Sequence, residues 1–302
     1  MQRLLVLIGI LGGVVPVLAQ TPQSEPTLFE ESIVVTASLD GEQEKELPAA
    51  VSVIEAVEIE ARQTTGVADL LASLPAMTVV QSGSPGQVTS LFTRGTNSDQ
   101  TLVLWNGVEL NDPYFGGFNW AFLPTEGVGR VEAVRGPFSS LYGGDAVGGV
   151  VQILSAPRRG ADFQLEGGEN GYWRGQVSAA TQLGSTSFEV AGHLRRGDGQ
   201  VENDFFDGEA LMARADWEMQ PGMSLGLLVR AADADTGIPY NGGTPSPERR
   251  ISWQERLVSV PFRADLGDWQ VQAQVSGLTY ENQFRDPKDP FGFTESDTCL
   301  LY

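Results

Sequence analysis

The sequence is poor in the residues that build disulfides, histidine-rich metal sites and nucleic-acid interfaces. Cys299 is its one cysteine, so no intrachain disulfide can form. His193 is its one histidine, which we interpret as a polar strand residue. The chain has 19 lysines and arginines against 39 aspartates and glutamates, a formal net charge of −20 over 302 residues. A chain this acidic is not expected to bind nucleic acid.

Long apolar runs are also scarce. The first one extends from Leu4 to Val15, after Arg3 and before the small-residue stretch that ends at Ala19. It is short for a spanning helix, which needs about 20 apolar residues. We therefore predict a cleaved signal peptide over residues 1–19, with a membrane anchor as the alternative. The sequence also has no nucleophile–base pair and no metal-ligand spacing, so we predict that the protein is not an enzyme.

A β-prone run stands alone inside a polar segment, residues 20–39, that we predict to be flexible. The run is Glu31, Ser32, Ile33, Val34, Val35, Thr36 and Ala37. With no partner strand near it in sequence, it suits the sheet edge of another protein. The alternative is an ordinary first strand of the chain's own fold.

Residues 40–157 show the mixed pattern of a small α+β domain. One helical face is predicted from four apolar residues, Val67, Leu70, Leu71 and Leu74. Pro75 ends that helix, and Asn106-Gly107 is a hairpin signal between strands. Two loops rich in glycine and proline, residues 82–90 and 111–120, are predicted to form the apices of the domain. The aromatic residues of the second loop are expected to contact either a ligand or another part of the protein.

From residue 158 onward the hydrophobic period becomes two, with about seven strands that alternate apolar and polar side chains. A β-sandwich also alternates in this way. Tight turns at Gly184-Ser185, Pro221-Gly222 and Gly267-Asp268 alternate with the long segments 197–207 and 236–250. Short turns at one end and long loops at the other are typical of outer-membrane barrels. We therefore predict antiparallel transmembrane β-barrel strands over residues 158–302.

One long motif identifies the family that this pattern suits. It consists of Arg130-Val131-Glu132-Ala133-Val134-Arg135-Gly136-Pro137, then Ser140-Leu141-Tyr142-Gly143, then Ala146-Val147-Gly148-Gly149-Val150-Val151-Gln152-Ile153. The string resembles the end of the plug domain in TonB-dependent outer-membrane transporters. The resemblance implies a plug at residues 40–157 and a barrel of 22 strands. About seven strands cannot close around such a plug, so the chain resembles only the N-terminal part of a family member.

The resemblance also implies partners and a location. It places the protein in the outer membrane, in contact with its lipid, and gives residues 31–37 the role of a TonB box. That box would bind a periplasmic TonB-like energy-coupling protein. Arg94, Glu132 and Arg135 resemble the charged set that joins plug to barrel wall. A local ion-pair network that holds the plug together is the alternative for these three residues.

Within the family, the plug is most similar to that of cobalamin transporters. The matching strings are VVTASL, PGQVTSLFTRGTN and LVLWNGVELN. By position they assign ligand contacts to five residues, Val88, Ser90, Asn97, Phe115 and Gly116. Asp112-Pro113-Tyr114 replaces small residues of the family pattern, which keeps a siderophore-iron receptor as an alternative. A non-transporting plug or binding module, or an inactive gene remnant, is the alternative of another class.

No cofactor is expected to be required, but carboxylates in the long outer segments suggest calcium. They are Glu202, Asp204, Asp207, Asp233 and Asp235. Calcium takes 6–8 oxygen ligands of this kind, and cobalamin transporters order their outer loops with calcium at similarly placed aspartates. A solvated acidic rim is the alternative.

Overall fold

A computed structural model gives the fold of most of the chain. It describes residues 33–34, 42–43, 49–112, 116–155, 160–288 and 295–301. The predicted signal peptide and most of the predicted flexible segment lie outside these residues. All the elements below belong to one compact unit, Ser32–Tyr302.

The first part is the predicted α+β domain, called the plug below. Its strands are β1 Ile33–Val34, β2 Glu42–Gln43, β3 Ala50–Glu55, β4 Met77–Gln81, β5 Thr89–Thr93, β6 Thr101–Trp105, β7 Val108–Glu109, β8 Arg130–Arg135 and β9 Gly149–Leu154. Its helices are α1 Ala56–Arg62, α2 Val67–Ala72 and α3 Ser139–Tyr142, with single 3-10 turns at Ser98–Gln100, Trp120–Phe122 and Gly144–Ala146. The central sheet has the order β3-β8-β9-β6-β7. The pair β6–β9 is parallel, and its neighbours in the sheet are antiparallel.

The local signals of the plug place its elements, although α2 ends at Ala72, before Pro75, and leaves the predicted Leu74 outside the helix. Helix α2 buries Val67, Leu70 and Leu71 in the core, because residues spaced three and four apart share one helical face. Asn106 and Gly107 both have positive φ, 47° and 83°, as a two-residue type I′ hairpin between β6 and β7 requires. No helix in the described ranges combines the length and the hydrophobicity needed to cross a membrane.

The second part is one antiparallel sheet of eight described strands, called the wall below. They are β10 Gly160–Gly167, β11 Trp173–Leu183, β12 Thr186–Gly197, β13 Phe206–Gln220, β14 Met223–Gly237, β17 Arg250–Leu266, β18 Trp269–Arg285 and β19 Glu295–Leu301. They pair strictly in chain order, with β10 and β19 at the two edges. A small pair, β15 Tyr240–Asn241 and β16 Thr244–Pro245, lies between β14 and β17.

The predicted fold class is confirmed, with one correction at its end. The tight turns at 184–185, 221–222 and 267–268 all stand where the sequence placed them. The expected total was about seven strands, without a convincing strand at the end of the chain. The eighth, Glu295–Leu301, pairs with residues 279–285. Backbone pairing defines this strand, which its side-chain pattern did not indicate.

The two faces of the wall have different surroundings. The inner face buries Ala191, Met212, Leu228, Leu257 and Leu278 in the same core cluster as the plug. The opposite face leaves large apolar side chains exposed. These include Val190, Leu211, Trp217, Leu227, Val229, Val258, Trp269 and Val275. An outward apolar band is what lipid-facing strands require.

Candidate functional site

A cleft of about 670 Å³ opens between the plug and the long-loop end of the wall. The plug contributes its first apex loop, residues 82–87. The wall contributes parts of the segments 169–172, 195–206 and 238–240. The first predicted apex therefore does face a cavity, and an occupant of that cavity touches plug and wall together.

The apex loop is tied to the wall at its tip. The Gln87 side-chain amide donates a hydrogen bond to the Gly237 carbonyl, and the Thr236 hydroxyl donates one to the Gly86 carbonyl at 3.4 Å. Gly86 has a φ of +92°, and a Cβ there would lie 2.0 Å from the Phe206 ring. Glycine at this position thus lets the plug backbone touch the wall.

A stack of aromatic rings next to Gly86 also joins the plug to the wall. The Phe122 ring of the plug lies between two wall rings, with centroid distances of 6.2 Å to Phe206 and 4.8 Å to Trp253. Tyr280 meets Trp253 edge-on at 6.0 Å. The aromatic residues of the second apex loop were predicted to make such contacts, whereas Phe122, two residues after the end of that loop, was not.

The predicted ligand residues lie apart from this cleft. Val88 is exposed, Ser90 is half-buried in β5, and Asn97 caps the turn Ser98–Gln100. Gly116 is close to Asp99, since a Cβ on Gly116 would lie 3.2 Å from the Cβ of Asp99. Asn97 and Gly116 are thus near each other on the plug, while Phe115 lies outside the described residues. None of the four described positions belongs to the lining of the 670 Å³ cleft, and their role as ligand contacts stays a prediction.

Arg135 and Glu132 make strong contacts within the plug. The Arg135 guanidinium donates to the carbonyls of Ala50, Val51 and Pro75 at 3.0–3.3 Å. Glu132 is fully buried and its carboxylate lies 3.1 Å from the Arg130 Nε. These contacts favour the local alternative, in which the charges hold the plug together. Arg94 has a positive φ of 53° at the end of β5.

Other polar residues join the plug to the wall. The buried carboxylate of Glu126 lies 2.9 Å from Arg174 Nη2 on β11. Burial raises the pKa of Glu126, while the Arg174 charge acts in the opposite direction. The Gln274 side chain on β18 donates a hydrogen bond to the Asn106 carbonyl of the plug at 3.0 Å. The Arg230 guanidinium on β14 lies 5.2 Å from the centre of the Trp105 ring. Because these residues are isolated in the sequence and form no motif, their contacts could not be predicted from it.

The five predicted calcium ligands do not meet in one place. Three aspartates lie beside arginines on half-exposed surface: Asp207 beside Arg196 at 2.9 Å, Asp233 beside Arg256 at 2.7 Å, and Asp235 beside Arg250 at 3.9 Å. Strand alternation places them on the opposite face from buried Phe206, Ala232 and Ala234.

Asp204 has a different environment. It is a buried residue of the loop between β12 and β13, and its Oδ2 accepts a hydrogen bond from the Gln200 backbone N–H at 3.0 Å. Its Oδ1 is buried without a hydrogen-bond partner, while Glu202 is exposed. Across the described residues, no three His, Cys, Asp or Glu side chains are grouped as a metal would need. The five residues are therefore not gathered around one point in this arrangement, and calcium binding at any of them stays a prediction.

The predicted TonB box is described only at its centre. Ile33 and Val34 form β1, which pairs antiparallel with Glu42 and Gln43 of the same chain. Glu31, Ser32, Val35 and Thr36 lie outside the described residues. A short strand does form at this point, and its pairing with another protein stays a prediction.

Comparison with known proteins identifies the family of the plug domain. The TonB-dependent receptor plug domain matches residues 43–150. The vitamin B12 transporter BtuB of Vibrio vulnificus is 35% identical over 191 residues, which covers 60% of this chain and 31% of that protein. BtuB of Photobacterium profundum is 28% identical over 269 residues, covering 85% of this chain and 44% of that protein.

Solved structures share the fold. The alcaligin outer membrane receptor FauA of Bordetella pertussis has a TM-score of 0.71 at 19% identity, covering 90% of this chain and 45% of that one. The siderophore receptor PiuA of Acinetobacter baumannii has a TM-score of 0.68 at 19% identity, covering 84% and 40%. The chain thus spans less than half the length of each relative described. Residues 43–150 thus form the plug domain of the TonB-dependent receptors, a family of receptors rather than enzymes, and antiparallel strands with the fold of the solved receptor barrels follow it.

Proposed function

We propose that this protein takes up a bulky, scarce nutrient of the cobalamin class across the outer membrane. The observation that carries the proposal is the similarity to two vitamin B12 transporters, which reaches 85% of this chain in one alignment. The open cleft of about 670 Å³ between plug and wall offers a place for part of such a nutrient.

The geometry gives a route from ligand to plug. An occupant of the cleft contacts loop 82–87, whose Gly86 and Gln87 are bonded to the wall. A ligand that prefers one arrangement of this loop shifts the plug toward that arrangement. The Ile33–Val34 strand pairs with Glu42–Gln43 along one edge and offers its other edge to a periplasmic TonB-like protein, which supplies the energy for uptake.

A ferric siderophore is the second candidate. The cleft contains the cationic side chains of Arg195 and Arg196, and ferric chelates of this class are commonly anionic. A binding module without transport is the candidate of another class, because the cleft exists within the residues described.

Direct binding separates these candidates. The chain would be refolded in detergent micelles and titrated with cyanocobalamin and with ferric enterobactin, with tryptophan fluorescence as the readout. We expect saturable binding of cyanocobalamin, weakened by Gly86→Ala, which places a Cβ against Phe206 beside the cleft. Trp217→Phe on the outward face serves as the control, since it lies away from the cleft lining. Binding of the ferric chelate alone would replace the cobalamin proposal with the second candidate.

Uptake needs a separate test, since binding alone also fits a non-transporting module. The wall is an open sheet with β10 and β19 at its edges, so the chain would be expressed as the N-terminal part of a completed receptor, in an outer membrane that lacks its own cobalamin receptor. The accumulation of labelled cyanocobalamin would be measured with and without the energy-coupling protein. Accumulation that depends on that protein is the expected result. Binding without accumulation would favour the binding module.

A further inference from the structure

Arg195 is held in the cleft by aromatic rings. Its guanidinium carbon lies 5.9 Å from the centre of the Tyr172 ring and 5.2 Å from that of the Phe206 ring. Within the described part of the chain, the Arg195 guanidinium has neither a hydrogen-bond partner nor an ion-pair partner. Its neighbours on the wall differ, since Arg174 pairs with Glu126 and Arg196 pairs with Asp207.

The rings fix this cation without using its hydrogen-bond donors. A guanidinium over an aromatic face is attracted by the ring quadrupole, so its N–H groups stay free. Phe206 is itself fixed, because it stacks on Phe122 and touches Gly86 of the plug. Tyr172 is placed by a backbone hydrogen bond from Gly168 to its carbonyl at 2.8 Å. Arg195 is thus a positioned donor that the plug helps to orient.

We propose that Arg195 binds an anionic group of the imported ligand, a phosphate ester or a carboxylate. The planar guanidinium suits the bidentate recognition of such groups. The other charged side chains in the cleft lining are Arg196, Glu169 and Asp204. Arg196 is neutralised by Asp207, and Asp204 already accepts a bond from Gln200. The proposal rests on the proposed uptake function and specifies which chemical group of the nutrient the cleft recognises.

A pair of corrinoids tests this assignment. Cyanocobalamin carries a phosphodiester, and dicyanocobinamide lacks it. Their affinities would be measured by fluorescence titration of the refolded chain and of Arg195→Ala, Arg195→Lys and Arg256→Ala. We expect Arg195→Ala to weaken cyanocobalamin binding by about 10- to 100-fold, as for the loss of a charged hydrogen bond. Dicyanocobinamide affinity should stay within about twofold, since that ligand has no phosphodiester for Arg195 to bind.

Two control variants separate the effect of the Arg195 charge from a general loss of binding. Arg195→Lys keeps the charge and should recover part of the loss. Arg256→Ala removes a half-exposed arginine that pairs with Asp233 outside the cleft lining, and it should leave both affinities unchanged. Equal losses for the two corrinoids, or no loss for either, would overturn the assignment of Arg195. If wild type binds neither corrinoid but binds ferric enterobactin, the cobalamin proposal fails. A loss of that anionic chelate in Arg195→Ala would then still support the anion site. Binding of none of the three ligands overturns both proposals.

Discussion

Arg214 of the wall and Ser155 of the plug meet where the chain leaves the plug. The Arg214 Nη1 lies 2.9 Å from the Ser155 hydroxyl and 3.3 Å from the Asn106 side-chain oxygen. Asp216 orients the guanidinium from the other side, at 2.6 Å and 3.2 Å. One wall residue therefore joins the β6–β7 turn of the plug to the end of β9.

Arg214→Ala should loosen this junction. The substitution removes the charged hydrogen bonds to Ser155 and Asn106, each worth about 1.5–3 kcal/mol. We expect faster amide hydrogen exchange in residues 101–107 and 149–155, measured by mass spectrometry on the refolded chain. Arg256→Ala is a matched control, because its half-exposed pair with Asp233 lies on the outward face. Unchanged exchange in the plug segments would show that Arg214 does not hold the junction.

Val34→Pro should prevent the β1 strand from pairing with a partner. Proline removes the backbone N–H that a ladder needs. The binding of the chain to the soluble C-terminal domain of a TonB-like protein is expected to fall at least about tenfold, which corresponds to 1.4 kcal/mol. Val34→Ile, which keeps the donor and the β propensity, is the control. Equal affinities for the proline variant and the wild type would sink the TonB box assignment.

Glu126 should make plug stability depend on pH. Burial raises its folded-state pKa above the ordinary value of a glutamate carboxyl, with the Arg174 charge opposing the rise. The folded protein therefore binds the proton at a higher pH than the unfolded chain does. The resulting stability is present at low pH and is lost as the pH rises through the folded pKa.

The comparison is with Glu126→Gln, which does not titrate. We expect the wild type to gain stability relative to this variant as the pH is lowered from neutral toward 4.5, measured by urea unfolding. A difference that is constant, or that grows as the pH is raised, would contradict this assignment.

Calcium binding to the outer loops stays a prediction, and the structure identifies the residue on which to test it. Asp204 has a buried carboxylate oxygen without a partner, whereas Asp235 lies on the outward face near Arg250 and Ser252. Calorimetric titration of the refolded chain should therefore show calcium binding that Asp204→Asn removes and Asp235→Asn preserves. Absence of heat in the wild type, or equal effects of the two variants, would end the proposal.

The sequence alone determined those features that depend on local periodicity and turn chemistry. The spacing of Val67, Leu70 and Leu71 defined a helical face, and the positive φ of Asn106 and Gly107 followed from their residue types. The alternation of apolar and polar side chains along the wall strands, and the positions of their tight turns, could also be predicted, because a strand face repeats every two residues. The long glycine-rich motif supplied the family.

Only the tertiary structure decided which side chains meet. Arg195, Tyr172 and Phe206 come from two strands and a loop, and no spacing in the sequence links them. The predicted calcium ligands look like one set in sequence, yet strand parity turns Asp207 and Asp235 to the face opposite buried Phe206. Arg135 carries the same charge as Arg174, but it binds carbonyls inside the plug while Arg174 joins plug and wall. Such roles depend on long-range packing, which a local pattern does not encode.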